Sequence, residues 1–401
     1  MQSAPFEASG LPLASSPFSS APIPPVRIGV VGCALARTRY GEALSQLASL
    51  QVAALADPDK RLARAWARQL GGSPPVFESL EPMLQAVPAL EAVLIASSPH
   101  ERSAQVMAAA QARRSLLVEL PFADSLAETD ALLRAAAENG VLLMPALSGR
   151  FDAAFRQIAR YAEAGALGTL RQARCDRILP AWGASEAESR NGAADSGWNA
   201  LLQRALFQTA DLCRWWLGDA LMVSADIDLH RQDAAGRSRG PTPALANVIL
   251  THERGQSVHH LARVRSTQSE ERYKLSGALG YVELIFGPTA AMTLHRPSLP
   301  AGNLPAPEEV ASPPAQDEAE ALRLRARRML SHFADCIRTA CAPQARGADA
   351  RAALEIVHAA YLSTQEGSKI SLPLRRSLDI RAIMRSPGAA PRPLPPPNAS
   401  R

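Results

Sequence analysis

Lysine is nearly missing from this chain. Only Lys60, Lys274 and Lys369 are lysines among 43 basic residues, and the others are arginines. None of the three closes a glycine-rich loop, so a phosphate-cradling P-loop is excluded. Aromatic residues make up 5% of the sequence and are not interleaved with basic ones, which argues against a base-stacking surface. The densest basic run, Arg323, Arg325, Arg327 and Arg328, shares its helix with Glu318 and Glu320 and reads as a solvated face. A nucleic-acid partner is therefore not expected. No stretch approaches the roughly 20 apolar residues of a membrane helix. Met1 to Pro25 lacks the basic and apolar regions of a signal peptide and is rich in Ser, Pro and Ala, as in a disordered leader. A cytoplasmic location with no membrane partner is the expectation.

Cysteine is also sparse. Cys33, Cys175, Cys213, Cys336 and Cys341 are odd in number and scattered, which fits free thiols in a reducing compartment. Cys336 and Cys341 have neither zinc nor redox-motif spacing and read as packing residues. Adjacent His259 and His260 on one strand point to opposite faces. His230, His252 and His295 fall on separate strands with no Cys or carboxylate at ligand spacing. No metal site is expected, and no Ser-His-Asp arrangement is visible.

What the chain does have is length and periodicity. With 401 residues, 47% of them hydrophobic, it can bury more than one core, and two domains is the natural reading. Between residues 26 and 147, apolar runs alternate with helical patterns: Val26–Val31, Val52–Ala56, Ala92–Ala96, Ser115–Val118 and Val141–Met144. Unbroken apolar strands suit a parallel sheet covered on both faces. Ser125 with Glu128 reads as a capping box, and Asn139–Gly140 as a helix stop. This predicts a doubly wound α/β domain of the Rossmann type.

From 148 to 385 the pattern changes to an α+β domain with a large, mostly antiparallel open sheet. Arg150 to Ala164 reads as a helix, Leu170–Ile178 as a strand and Asn199–Leu217 as a second helix. Val223, Ala225, Ile227 and Leu229 alternate with polar residues, and Ala246–Thr251, Ser257–Val264, Arg272–Ser276 and Tyr281–Phe286 continue the series. A proline-rich loop spans Pro297–Pro314. Helices are predicted over about Asp317–Cys341 and Ala348–Gln365, then a disordered proline-rich tail from Ser386.

A strand, a glycine turn and a helix N-terminus make an anion site, because free N–H groups and the helix dipole face the ligand. Val26–Val31 runs into Gly32, Cys33, Ala34 and Leu35, with the helix predicted to begin near Arg37. The second strand ends in Asp57, placed to bond a ribose hydroxyl and to repel a 2′-phosphate, which favours NAD over NADP. Ala34 stands where the dinucleotide fingerprint has its second glycine, so the site is expected to be weakened.

Asp57-Pro58-Asp59, Ala96-Ser97-Ser98-Pro99-His100, Val118-Glu119-Leu120-Pro121 and Gly149-Arg150-Phe151 fall in an order that resembles the Gfo/Idh/MocA oxidoreductases. Ala164 to Gly168 and Ala210 to Trp215 are similar to the opening of that family's second domain. The resemblance runs from about Val26 to Leu374. It implies a dinucleotide site that includes Ser97, His100 and Glu119, and subunit pairing through the open face of the second sheet.

The same resemblance exposes what is missing. The lysine of the family's E-K-P falls on Leu120. In a pattern like D-x-G-x-H-x-x-D, the first Asp falls on Arg204 and the His on Gln208, and only the trailing Asp211 matches. Leucine carries no proton, glutamine does not titrate, and arginine stays protonated. The expectation is a nucleotide-binding protein that is catalytically degenerate, acting as a partner, sensor or scaffold in a homodimer or larger assembly with an unknown protein partner. The alternatives are an active oxidoreductase on a sugar-like substrate using Arg204, Asp211 or His100, and a structural protein with an empty pocket.

Overall fold

The structure is a computed structural model that describes residues 24–375 apart from 71, 122, 124, 181–196, 228–243, 265–269, 287–289, 296–307 and 310–317. The leader before residue 24, His230, nearly all of the proline-rich loop and the tail lie outside the described residues.

Six parallel strands form the first sheet: β1 (Val26–Val31), β2 (Leu50–Ala56), β3 (Val76–Phe77), β4 (Ala92–Ile95), β5 (Ser115–Val118) and β6 (Leu143–Pro145). Their order is β3-β2-β1-β4-β5-β6. Every residue of β4 is buried, as a strand covered on both faces must be. The helices between them are α1 (Cys33–Gln46), α2 (Lys60–Ala67), α3 (Leu80–Ala86), α4 (Pro99–Gln111) and α5 (Leu126–Glu138). The order reverses between β1 and β4, which opens a crevice beyond their carboxyl ends, where doubly wound folds bind ligands.

Two local expectations are refined. The Ser125 side chain does cap α5, accepting the Glu128 N–H at 3.2 Å, and Gly140 ends that helix region at φ 65°. Helix α1, however, starts at Cys33 and not near Arg37. Gly32 adopts the left-handed conformation (φ 82°, ψ 64°) and turns strand directly into helix, leaving no intervening loop.

Among the described residues the second sheet has nine strands, in the order β14-β13-β12-β11-β7-β10-β9-β8-β15. They are β7 (Leu170–Pro180), β8 (Ala220–Ile227), β9 (Ala244–His252), β10 (Gly255–Val264), β11 (Glu270–Gly277), β12 (Gly280–Phe286), β13 (Ala291–His295), β14 (Glu308–Glu309) and β15 (Ile370–Ser371). Neighbours pair antiparallel except β7 with β10. The single helix expected over Arg150–Ala164 is two pieces, a 3-10 turn (Ser148–Phe151) and α6 (Ala153–Glu163). Asp152 breaks them apart because its side chain accepts the amides of Ala154 and Phe155 and caps α6.

Helix α7 (Gly197–Leu217) packs on one face of this sheet. The other face carries Leu245 and Ile249, each more than 40% exposed. Two last helices, α8 (Glu318–Thr339) and α9 (Gly347–Glu366), return to the first domain. Helix α8 lies along α1, and its Arg338 binds the Glu91 carboxylate and the Pro24 carbonyl. Helix α9 packs between α5, α7 and β8. One continuous core therefore joins the first sheet, α8, α9 and one end of the second sheet, and a separate core lies under α6 and the other end.

Candidate functional site

Gly32 fixes the turn at the crevice. A Cβ there would lie 2.4–2.5 Å from the backbone of Ala96 and Ser97, so the turn is pressed against the end of β4 and only glycine fits. The Cys33 N–H donates to Asp57 Oδ2 at 2.6 Å, and the Asp59 N–H donates to Asp57 Oδ1 at 2.8 Å. Asp57 thus sits at the end of β2, 8% exposed, braced against the start of α1. Ala34 and Leu35 are the next two residues of the helix, whose first-turn amides have no partner within it. Ala34 is exposed, so this end of the helix faces outward. Cys33 itself points inward; burial pushes its thiol up to about 12, with Asp57 adding to the shift.

At the ends of β4 and β5 the polar groups are bound to one another. Arg102 donates to the carbonyls of Ser97 (2.5 Å), Glu119 (3.3 Å) and Pro121 (2.7 Å). Burial pulls its guanidinium down to about 10, against the opposing charge of Glu119. Glu119 is 3% exposed and accepts two bonds from Arg39, at 2.9 and 2.8 Å, and one from the Tyr40 hydroxyl. Burial alone would raise its carboxyl, but Arg39, Tyr40 and Arg102 hold it below the usual carboxylate range. The carboxylate is therefore a structural anchor joining β5 to α1. Ser97 is buried, its hydroxyl on Gln105, and His100 is exposed on the first turn of α4. Leu120 is half-buried in a small apolar cleft with Pro121, Ala123, Phe207, Ala350 and Leu354.

Across the crevice, α7 presents Arg204, Gln208 and Asp211. Arg204 is half-buried and close enough to disfavour the charge on Arg102. Gln208 is exposed and accepts from Arg177 at 3.1 Å; Arg177 in turn pairs with Glu271. Asp211 is 2% exposed and held in a two-bond grip by Arg150, at 2.9 and 2.8 Å. Arg150 also reaches Asp349 at 3.2 Å and the Gln344 carbonyl at 3.0 Å. One arginine thus serves two buried carboxylates. Burial, with Asp349 adding, raises Asp211 in spite of Arg150. Asp349 goes the other way: burial opposes the shift, but Arg150 and the Arg346 N–H hold it low. Asp211 therefore anchors a guanidinium.

Of the predicted residues, the fold brings Gly32, Cys33, Ala34, Leu35, Asp57 and Ser97 to the crevice at the ends of β1, β2 and β4. Glu119 and Asp211 are locked beneath it by arginines. Sequence reasoning missed Arg39, Tyr40 and Arg102 as the partners that fix Glu119, and Arg150 as the partner of Asp211. Those partners lie 17–80 and 61 residues away, with no local spacing to betray them.

The fold also groups cysteines and histidines that the sequence keeps apart. Cys175 and Cys213 are 3.5 Å apart and share a buried cluster with His259, whose two ring nitrogens engage Thr209 and Ser257 at 2.8 Å. Cys336, Cys341 and His332 form a second cluster, with the two sulfurs 2.8 Å apart. Cys336 and Cys341, expected to pack, are brought face to face where the chain folds back after α8.

Residues 26–147 match the model of the Gfo/Idh/MocA oxidoreductase family, described as an NAD-binding Rossmann fold. Over 365 residues the chain is 27% identical to a D-apiose dehydrogenase from Paraburkholderia graminis, covering 88% of this chain and 90% of that one. An oxidoreductase domain protein from Kribbella flavida superposes with a TM-score of 0.72 at 16% identity, over 88% of this chain and all of that one. An oxidoreductase from Agrobacterium radiobacter, solved in complex with NAD+, L-tartaric acid and magnesium, gives 0.69 at 18% identity, over 86% and 98%. These solved structures share its fold over 86–88% of the chain. Among the described residues, no helix is long and apolar enough to cross a membrane.

Proposed function

We propose that this chain, whose N-terminal domain is that of the Gfo/Idh/MocA oxidoreductases, binds NAD(H) but does not carry out ordinary alcohol–carbonyl redox chemistry, and acts as a cofactor-responsive partner or sensor. The residues present fit the dinucleotide. The outward-facing start of α1 offers first-turn amides to a pyrophosphate, and Gly32 allows the close turn beside them. Asp57, at the end of β2, would meet the ribose there, and its charge would disfavour a 2′-phosphate, which supports NAD over NADP. When bound, the nicotinamide supplies the hydride donor or acceptor.

The protein must then move a proton at the substrate oxygen and stabilise its charge. The observation that carries the proposal is that the acidic groups near that position are already committed. Asp211 is clasped by Arg150 and Glu119 by Arg39 and Tyr40, while Leu120 offers only a hydrocarbon surface. Arg204 and Gln208 can orient an anion or a hydroxyl but cannot take a proton.

A second reading, an active dehydrogenase of a sugar-like substrate, is favoured by the near full-length similarity to D-apiose dehydrogenase. There Arg204 would polarise the carbonyl and the exposed His100 would pass the proton. NADH binding followed by nicotinamide fluorescence, with turnover assayed on D-apiose, inositols and related polyols, separates the readings. Saturable binding without turnover supports the first, turnover on any of these sugars installs the second, and no binding at millimolar NADH removes both. The exposed Leu245 and Ile249 support a homodimer formed through the open face of the second sheet. Free thiols fit a reducing cytoplasmic setting.

A further inference from the structure

Helix α8 ends at Thr339, and the next residue, Ala340, has φ 53°. A non-glycine residue in the left-handed region costs roughly 1 kcal/mol or more. The reversal it makes lays Cys341 back over Cys336 on the last turn of the helix. Their Sγ atoms are 2.8 Å apart, Cys341 exposed and Cys336 3% exposed. His332, one turn before Cys336, places Nε2 at 3.4 Å from the Cys336 sulfur.

Two chemistries suit such a trio, and magnitudes decide between them. A thiophilic cation bound by both sulfurs at about 2.3 Å in tetrahedral geometry would hold them about 3.8 Å apart. A covalent bond requires about 2.05 Å. The observed separation lies inside van der Waals contact and nearer the covalent value. The third ligand is also engaged: His332 Nε2 accepts the Gln344 N–H at 2.9 Å, so an ion would have to strip a backbone bond to use it. Burial lowers the pKa of the ring and so favours its neutral form, whose lone pair suits an N–H or S–H donor.

We propose that Cys336 and Cys341 are a reversible thiol-modification site, forming an intramolecular disulfide by exchange with low-molecular-weight disulfides such as oxidised glutathione. Cys341, the exposed thiol, attacks as its thiolate, bonds to one sulfur of the small disulfide and releases the other as a thiol. Cys336 then gives up its proton and attacks Cys341 Sγ, which expels the second small thiol. One small disulfide is reduced to two thiols, two protein thiols are oxidised to one disulfide, and the two protein protons end on the released thiols. Burial, with Cys341 adding, pushes the Cys336 thiol up to about 12, so Cys336 is not the first to attack, and the part due to Cys341 falls away once Cys341 is in the mixed disulfide. The other three cysteines, Cys33, Cys175 and Cys213, are buried out of reach of the reagent. The bond would pin the loop whose Gln344 carbonyl is held by Arg150, the residue that grips Asp211.

The test uses the full chain, reduced, freed of reductant and equilibrated with oxidised glutathione, then alkylated, digested and mapped by mass. The wild type should lose two hydrogens in mass, with a single Cys336–Cys341 cross-link that dithiothreitol reverses. Cys336→Ser should instead trap glutathione on Cys341, and Cys341→Ser should remain unmodified. Stable glutathione adducts on the wild type without a cross-link would overturn the proposal, as would a bond involving Cys33, Cys175 or Cys213. So would both thiols surviving millimolar oxidised glutathione, whether bare or shielded by zinc that a chelator removes. The wild-type measurement stands even where a serine variant folds poorly.

Discussion

The two sides of the crevice are made of different material. On the first-domain side, the groups that would meet a dinucleotide are largely backbone: the turn at Gly32 and the opening amides of α1, braced by Asp57. On the α7 side they are side chains: Arg150 ties down Asp211, and Arg204 and Gln208 stand where the resemblance would put Asp and His. Backbone donors survive almost any substitution that keeps the turn, whereas a proton carrier is lost in one. On the reading proposed above, the fold keeps its binding geometry while its chemistry is lost.

The strongest way to break that contrast is to restore the second side. Leu120→Lys, Arg204→Asp and Gln208→His together should raise NAD-dependent turnover of a polyol by about 10²–10⁴-fold, the usual scale of general acid–base catalysis. A parent enzyme that already turns over as fast as the triple variant would abolish the distinction between the two sides.

Next in size is the buried clasp. Arg150→Met keeps most of the side-chain volume but leaves Asp211 and Asp349 without their shared cation, and should cost about 3–5 kcal/mol in urea unfolding. Adding Asp211→Asn should recover part of that loss, because the uncompensated charge and not the lost contact carries most of it. If the double variant is no better than the single one, Asp211 is not the partner that matters.

On the first side, Gly32→Ala forces a methyl into the Ala96–Ser97 backbone at a left-handed position. The expected penalty is about 3 kcal/mol, from left-handed strain and overpacking together. NADH affinity should fall with it. Binding that persists in a folded Gly32→Ala protein would mean that the dinucleotide lies elsewhere.

How much of this was legible differs between the sides for the same reason. Strands β1 and β5 begin and end where their apolar runs do, since a strand covered on both faces writes itself as an unbroken run. Asp57 could be placed because it ends such a run. Strand β3, only Val76–Phe77, is too short to show a period and was not anticipated. That Leu120, Arg204 and Gln208 differ from the family pattern was visible by resemblance. Arg150 stood in view as part of Gly149-Arg150-Phe151, yet its role depends on Asp211 and Asp349, which are remote in sequence. Likewise nothing local announced that Ala340 would turn Cys341 back onto Cys336.

The smallest effect tests whether Glu119 is an anchor. Its folded-state carboxyl titrates below its unfolded value, so the stability it contributes is present above about pH 4.3 and lost as pH falls through the lower, folded-state value. Asp211 works in the opposite sense, because its raised carboxyl favours the folded state on acidification. Single-site variants are therefore needed to read Glu119 apart from the rest. Glu119→Gln should cost about 2 kcal/mol near neutrality, the scale of a hydrogen bond to a charged group. The gap to the parent, measured as the urea midpoint, should narrow steadily as pH falls from about 5 through the folded-state value. A gap that stays constant across that range would show that the Arg39 and Tyr40 bonds do not favour the ionised carboxylate, and would return Glu119 to the list of groups available for chemistry.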